Sequence, residues 1–382
     1  MLHLLNNLTG RKEPFVPTKL PVTMYVCGVT PYDTTHAGHA FTYVVFDVLH
    51  RYLRLLGYPV RYVSNITDVD DSILEHARQR GLDYRRLGQD QTRQFIHDMD
   101  ALNILSPAQR PLASEEIPFM LDIVARMIER QAAYVVDGWV YFKVSAFPGY
   151  GQLSRLSRDE MLRLSAERGA DPDDQRKQDA LDFVLWQPSL PDEPSWPAPW
   201  GAGRPGWHLE CTAMSLRYLG ESIDVHGGGT DLIYPHHESE IAQSELFTGA
   251  TPFARFWVHT GMVRLNGQKM SKSLGNLILV RDLLREHSAA AVRLYLLDHP
   301  YRYGWDFEAG ELGRYEEIAD RISRLAVAPS DSGTGDAFFA ALDDDLDTPQ
   351  ALRQLEAALQ RAEAGQDEAE VALATYRRVL GV

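Results

Sequence analysis

Residues 23–28 read TMYVCG, and residues 36–39, after a turn punctuated by Pro31, read HAGH. The first stretch is a short β-branched and aromatic run, and the segment from about residue 40 to 56 has amphipathic spacing, so the order is strand, loop, helix. Residues 60–66 (VRYVSNI) supply a second strand and complete a βαβ unit, with its loop at the carboxyl end of the first strand. Nucleotides bind in such crevices. His36 and His39 open the helix, and Gly38 between them carries no Cβ, an arrangement that favours an anion at the helix N-terminus. Taken alone, two histidines at a helix start are more often a cap or a surface pair.

Outward from this unit the pattern changes. Residues 68–187 are charged helical segments with one strand-like patch at 139–144 (WVYFKV), and no βαβ alternation resumes, so this stretch reads as an insertion. A Pro-rich irregular connector occupies 188–205. The α/β pattern then returns: a strand at 223–225 runs into Gly227, Gly228 and Gly229, a helix covers 237–247, and a strand covers 256–265. From about residue 282 the chain is helical apart from a loop near 300–306, and it has no internal repeat. The expected fold class is α/β. Residues 1–75 and 201–265 form the two halves of a Rossmann-like domain, 76–200 an inserted connective segment, 266–310 a loop-bearing junction and 311–382 a C-terminal helical bundle.

The 382 residues suffice for two or three packed units, and a hydrophobic content of 45% is ordinary for globular protein. No apolar run approaches bilayer length and residues 1–14 lack the apolar core of a secretory signal, so a cytoplasmic location without membrane partners is expected. Cys27 and Cys211 are the only cysteines, which excludes a disulfide framework. The formal net charge of −15 argues against an unspecialised nucleic-acid binder. Residues 306–382 carry 17 acidic side chains, 7 arginines and no lysine, the wrong sign for gripping RNA. Net charge still leaves a local basic groove open.

Residues 269–273 read KMSKS, directly after the turn signal Asn266-Gly267. A solvated basic turn is the bland interpretation. Paired with HAGH, and with Rossmann-like halves around both, the two motifs resemble the signature pair of class I aminoacyl-tRNA synthetases and their relatives. The resemblance implies a Rossmann-like (HUP) catalytic domain that activates a carboxylate with ATP, accompanied by Mg²⁺. His36 and His39 would contact the phosphates, and Lys269 and Lys272, on a closing loop, would cover the departing pyrophosphate. Negative charge builds on those oxygens as the carboxylate attacks, so fixed donors there lower the barrier.

Cys27 ends the first strand, Cys211 follows residues 207–210 (WHLE), and His236 and Glu240 stand four apart at a helix start. Two sulfurs, an imidazole and a carboxylate suit one tetrahedral Zn²⁺, but separations this long make spacing alone a weak signal, and a lone buried cysteine is usually a small core residue. The surrounding segments, YVCG at 25–28, PGWHLEC at 205–211, HGGG at 226–229 and PHHE at 235–238, resemble cysteinyl-tRNA synthetase and its paralogues, collinearly over most of residues 20–310. In that family zinc recognises the substrate thiol, which implies L-cysteine and ATP as substrates and Cys27, Cys211, His236 and Glu240 as metal ligands. The same resemblance places Cys27, Gly28, Val29, Thr30, Thr42, Asn65, Ile66, Thr67 and Trp207 around the cysteinyl-adenylate. It assigns Gly229, Thr230 and Asp231 to the ribose and the backbone of Val263 to the adenine.

Two branches of the family differ in acceptor. One charges tRNA; the other, the cysteine ligase of mycothiol biosynthesis, acylates the amine of glucosaminyl-inositol. Residues 30–33 (TPYD), Phe41 where the synthetase carries Arg, and residues 167–172 (ERGADP) resemble the ligase, and with one short helical region around residues 344–349 (DDLDTP) at the end of the sequence no anticodon-binding domain is expected. Glu240 and His226 resemble the synthetase. The expectation is therefore a monomeric cysteine ligase with an amino-sugar acceptor; transfer to tRNA and a non-catalytic paralogue are the alternatives.

Overall fold

A computed structural model describes residues 1–32, 35–270, 274–325 and 336–382. The chain opens with a hairpin, β1 (His3–Asn6) and β2 (Arg11–Pro14). β3 (Val22–Val26), α1 (Ala37–Leu55) and β4 (Val60–Val63) follow as a βαβ unit. All five residues of β3 are buried, as expected for a parallel strand covered on both faces. Its period-two alternation assigns those faces. Val22, Met24 and Val26 join the core under α1, while Tyr25 and Cys27 join the core on the opposite side.

Helices α2 (Asp71–Arg80), α3 (Tyr84–Ala101) and α4 (Ile117–Glu129) lead into an antiparallel sheet. It consists of β5 (Ala133–Val136), β6 (Trp139–Phe142), β7 (Phe183–Gln187) and β8 (Arg204–Pro205), with α5 (Arg158–Glu167) between β6 and β7. The strand-like patch at 139–144 is thus one member of a four-stranded sheet. Its partners escaped notice because short strands such as β5 and β8 carry too few residues to show alternation.

The chain re-enters the nucleotide fold through α6 (Trp207–Leu219), β9 (Ile223–Gly229), α7 (Glu238–Thr248) and β10 (Ala254–Thr260). The central parallel sheet has the order β10-β9-β3-β4. The chain runs outward in opposite directions from the neighbours β3 and β9, so the carboxyl ends of these two strands frame the switch-point crevice.

The single strand expected over 256–265 is two strands in different sheets: β10 stops at Thr260, and β11 (Val263–Leu265) pairs with β12 (Gln268–Lys269) and β13 (Trp305–Asp306). The break falls at Gly261. Its N–H donates to Tyr301 O at 2.7 Å, and a Cβ there would lie 2.1 Å from the Tyr303 backbone. The remaining helices are α8 (Val280–Glu286), α9 (Ala289–Leu297), α10 (Leu312–Arg324), α11 (Ala337–Asp343), α12 (Thr348–Glu363) and α13 (Asp367–Leu380). The helices after residue 311 share one continuous core with α1 and α9. No described helix is long and apolar enough to cross a membrane.

Candidate functional site

The crevice opens into a cavity of about 810 Å³ between the nucleotide fold and the insertion, towards the upper end of small-molecule sites. Cys27, Gly28, Val29, Thr30, Gly38, Thr42, Trp207, Gly229, Asp231, Val263 and Lys269 line it, together with His36 and His39. Sequence-distant candidates therefore converge.

The loop after β3 is held from behind. Asn65 Oδ1 accepts from Gly28 N at 2.8 Å and from the Tyr25 hydroxyl at 3.0 Å, and Asn65 Nδ2 donates to Thr67 Oγ1 at 3.0 Å. Thr67 N donates to Val29 O at 3.0 Å. Asn65, Ile66 and Thr67 are buried and support the cavity wall without lining it. Gly28 is required by packing, since a Cβ would lie 1.6 Å from Asn65 O. Thr30 Oγ1 donates to Asp70 Oδ2 at 3.2 Å, while Asp70 Oδ1 caps α2 by accepting from Ile73 N at 2.9 Å.

His36 is the N-cap of α1, its Nδ1 accepting from Gly38 N at 3.1 Å, and its ring stacks on His39 with centroids 3.9 Å apart. Burial, reinforced by the neighbouring imidazole and Lys269, lowers His36 to about 2. Burial and Lys269 lower His39 to about 4. Both rings are neutral at pH 7, and His39 Nδ1 has no hydrogen-bond partner among the described residues. Lys269 Nζ reaches across to Asp231 Oδ2 at 3.2 Å, and Arg168 donates to the Asp231 carbonyl. Thr230 sits in the 3₁₀ turn carrying Asp231, and Thr42 Oγ1 lies 2.7 Å from Thr260 Oγ1. Lys272 lies outside the described residues.

Beside Trp207, four buried side chains bring one ligand atom each to within 4.8 Å of the others: Cys27, Cys211, His236 and Glu240. Four separate elements supply them: the end of β3, α6, the turn before α7, and α7. Cys27 Sγ and Cys211 Sγ are 3.9 Å apart, Cys27 Sγ and Glu240 Oε1 3.9 Å, and His236 Nε2 and Glu240 Oε1 3.1 Å. Ligands bound at about 2.0–2.3 Å in a tetrahedron stand roughly 3.3–3.8 Å apart, so this donor set fits zinc. Burial pushes the Cys27 thiol well up. Cys211 is equally buried, but the hydrogen bond from Cys27 and the charge of His236 draw it down to about 7. The His236 ring is clamped, with Trp207 stacked on it at 4.1 Å and His208 Nδ1 3.0 Å from its Nδ1.

A second, overlapping group comprises Cys27, His226, His237 and Glu240. Here His226 Nε2 is 2.5 Å from Glu240 Oε2, and His237 Nε2 is 3.3 Å from Cys27 Sγ, with its Nδ1 2.8 Å from His259 Nε2. Sequence reading did not assign His208, His237 and His259 to the site. The available signal was density, because five of the thirteen histidines fall between residues 208 and 259.

The family described as tRNA synthetases class I (C) catalytic domain matches residues 15–316. A cysteine–tRNA ligase of Alkalilimnicola ehrlichii is 46% identical over 395 aligned residues, covering 100% of this chain and 84% of its own. An L-cysteine:1D-myo-inositol 2-amino-2-deoxy-α-D-glucopyranoside ligase of Frankia alni is 48% identical over 341, covering 87% and 82%. The Mycobacterium tuberculosis methionyl-tRNA synthetase bound by methionyl-adenylate shares the fold, with a TM-score of 0.59 at 17% identity over 94% of this chain and 82% of that one. The chain belongs to the family of class I (C) tRNA synthetase catalytic domains.

Proposed function

We propose that this protein activates L-cysteine with ATP as cysteinyl-adenylate and transfers the cysteinyl group to the amine of an amino sugar, glucosaminyl-inositol. The observation that carries the cysteine reading is the buried Cys27, Cys211, His236 and Glu240 cluster beside Trp207, which reaches through Cys27 the wall of a cavity that Trp207, His36, His39 and Lys269 also line. Zinc held by those four residues supplies a Lewis acid that lowers the pKa of a thiol and prefers sulfur to a hydroxyl oxygen.

The protein's own groups account for the remaining steps. Trp207 walls the small side chain, and the loop from Cys27 to Thr30, fixed by Asn65, bounds the amino acid. The N-terminal end of α1, capped by His36, presents a favourable dipole to phosphate, and neutral His36 and His39 donate hydrogen bonds to it without repelling Lys269. Lys269 exchanges Asp231 for pyrophosphate oxygens as charge develops there. Lys272 is assigned the same task. The turn from Gly229 to Asp231 and the backbone of Val263 bound the space for ribose and adenine, and Mg²⁺ enters with ATP.

The amino-sugar acceptor is supported by residues 167–172, because Arg168, Gly169, Ala170 and Asp171 of that segment line the cavity opposite the nucleotide fold. A second reading, transfer to tRNA, is favoured by Glu240, and relatives named for tRNA are about as similar as those named for the amino sugar. Cysteine-dependent exchange of labelled pyrophosphate into ATP by the zinc-loaded protein tests the first half. Serine should not replace cysteine, and absence of exchange refutes adenylation. Offering glucosaminyl-inositol and tRNA in parallel tests the second half; charging of tRNA alone refutes the amino-sugar acceptor.

A further inference from the structure

The cavity extends beyond the adenylation machinery to a side built by the insertion, where Trp139 at the start of β6, Gln187 at the end of β7 and the segment between α5 and β7 form the wall. Its centre is a fixed ion pair on an aromatic floor. The Arg176 guanidinium lies over the Trp139 ring with Cζ 4.0 Å from the centroid. Its Nε and Nη2 donate to the two Asp174 oxygens at 2.8 and 3.0 Å, which spends two of its five N–H donors. The Tyr141 hydroxyl also donates to Asp174, at 2.6 Å, and Arg176 holds that carboxyl well below its usual range.

The charge on this side is balanced. Four cations line it: Arg168, Arg176, Lys177 and Arg204. Three are already committed, Arg176 to Asp174, Arg204 to Asp71 and Glu193, and Arg168 to the Asp231 carbonyl. Against them stand Asp70, Asp71, Asp171 and Asp174. A polyphosphate strand needs a surplus of uncommitted cations, which this wall lacks. A neutral ring with many hydroxyls needs the opposite: paired donors and acceptors held rigidly around an aromatic surface, with little net charge to desolvate.

We infer that the insertion side of the cavity, floored by Trp139 and the Asp174–Arg176 pair, is the acceptor subsite and takes a neutral, polyhydroxylated ring bearing one amine. The inference rests on the cysteine ligase reading above. In the transfer the amine nitrogen attacks the carbonyl carbon of cysteinyl-adenylate, the C–N bond forms as the acyl C–O bond to phosphate breaks, AMP leaves as the anion, and the amine proton passes to water in the open cavity.

The test uses the full chain, zinc-loaded, with Trp139→Ala and Arg176→Ala. Cysteine-dependent pyrophosphate exchange should stay within about twofold of the parent while KM for glucosaminyl-inositol rises at least about tenfold. Should an alanine variant lose exchange as well, Trp139→Phe and Arg176→Lys replace it under the same KM criterion. Amide formation by the parent with KM unmoved in folded variants overturns the subsite alone. A parent protein that adenylates cysteine but forms no amide overturns the acceptor reading, and the subsite with it.

Discussion

Cys27 and Cys211, 184 positions apart in the chain, hold their sulfurs 3.9 Å apart beneath the cavity. That contact joins the two halves of the nucleotide fold. Cys27 ends a strand whose register is fixed by β4 and β9, and Cys211 sits in the first turns of α6, so neither sulfur can move without its element. Cys211→Ser is therefore expected to keep the fold, reduce bound zinc to a small fraction of one per chain, and lower cysteine-dependent exchange by at least about a hundredfold. Zinc content and exchange rate check this together; full exchange by a zinc-free variant would separate the cluster from cysteine recognition.

The histidines at the start of α1 give a pH dependence. Their folded values, about 4 for His39 and about 2 for His36, lie below the ordinary value near 6.5. For a depressed histidine the stabilising contribution is complete above the unfolded value and is lost as pH falls through 6.5 towards the folded value. Between pH 7 and 5 each can cost at most about 2 kcal/mol, less after solvent screening. Urea unfolding at the two pH values should show the loss, and His39→Asn should reduce it. A bound phosphate opposes the depression, so ATP binding below pH 6 should take up protons, measurable by calorimetry in buffers of different ionisation enthalpy.

Gly28 tests the packing behind the site. A methyl group there would lie 1.6 Å from the Asn65 carbonyl oxygen, a backbone atom that cannot swing aside. Gly28→Ala should displace the loop from Cys27 to Thr30, cost on the order of 1–3 kcal/mol in stability, and raise KM for cysteine steeply. Gly313→Ala, in α10 with open space around its Cβ, is the control and should be neutral or slightly stabilising. Equal effects of the two in denaturation and exchange assays would contradict the account.

The Gly28 contact also marks what the sequence could disclose. The βαβ unit and the KMSKS position were readable because strong local patterns, a strand, a helix start and a turn, mark them, whereas the four metal-ligand candidates came from the resemblance of the segments around them and not from their spacing. The insertion sheet was not readable, since its pairing joins β6 to β7 across forty residues and leaves only short runs in the sequence. The same holds for the histidine cluster. His226 and His259 lie on neighbouring parallel strands, and only the register that sets Trp257 against His226 brings their rings together around His237. Asn65 entered only through the resemblance, and its buried position behind the cavity wall was not readable at all.

A buried cation ties the helical tail to the nucleotide fold. Arg293 on α9 is fully buried, pairs with Asp47 of α1 at 2.6 Å, and donates to the carbonyls of Leu380 and Leu102 at 2.6–2.9 Å. Arg293→Met would leave Asp47 with Arg51 and the Leu105 N–H and strip those carbonyls of their donor. Removing one member of a buried pair costs about 3–5 kcal/mol, so a marked drop in the urea midpoint is expected. Once the variant is folded, cysteine KM should be unchanged, because the pair lies under α1 and away from the cavity.

Lys269 and Asp231 face each other across the nucleotide side of the cavity, 3.2 Å apart, with both side chains in contact with solvent. An ion pair so exposed contributes little to stability, which leaves Lys269 free to exchange Asp231 for the oxygens of pyrophosphate. The gain is realised only as charge moves onto the leaving group, so the lysine should act on kcat more than on binding. Lys269→Ala is accordingly expected to lower kcat for exchange by about 10²- to 10³-fold with KM for cysteine near that of the parent and an unchanged urea midpoint. A variant that altered the cysteine KM and left kcat intact would place Lys269 in amino-acid binding and remove it from the phosphoryl step.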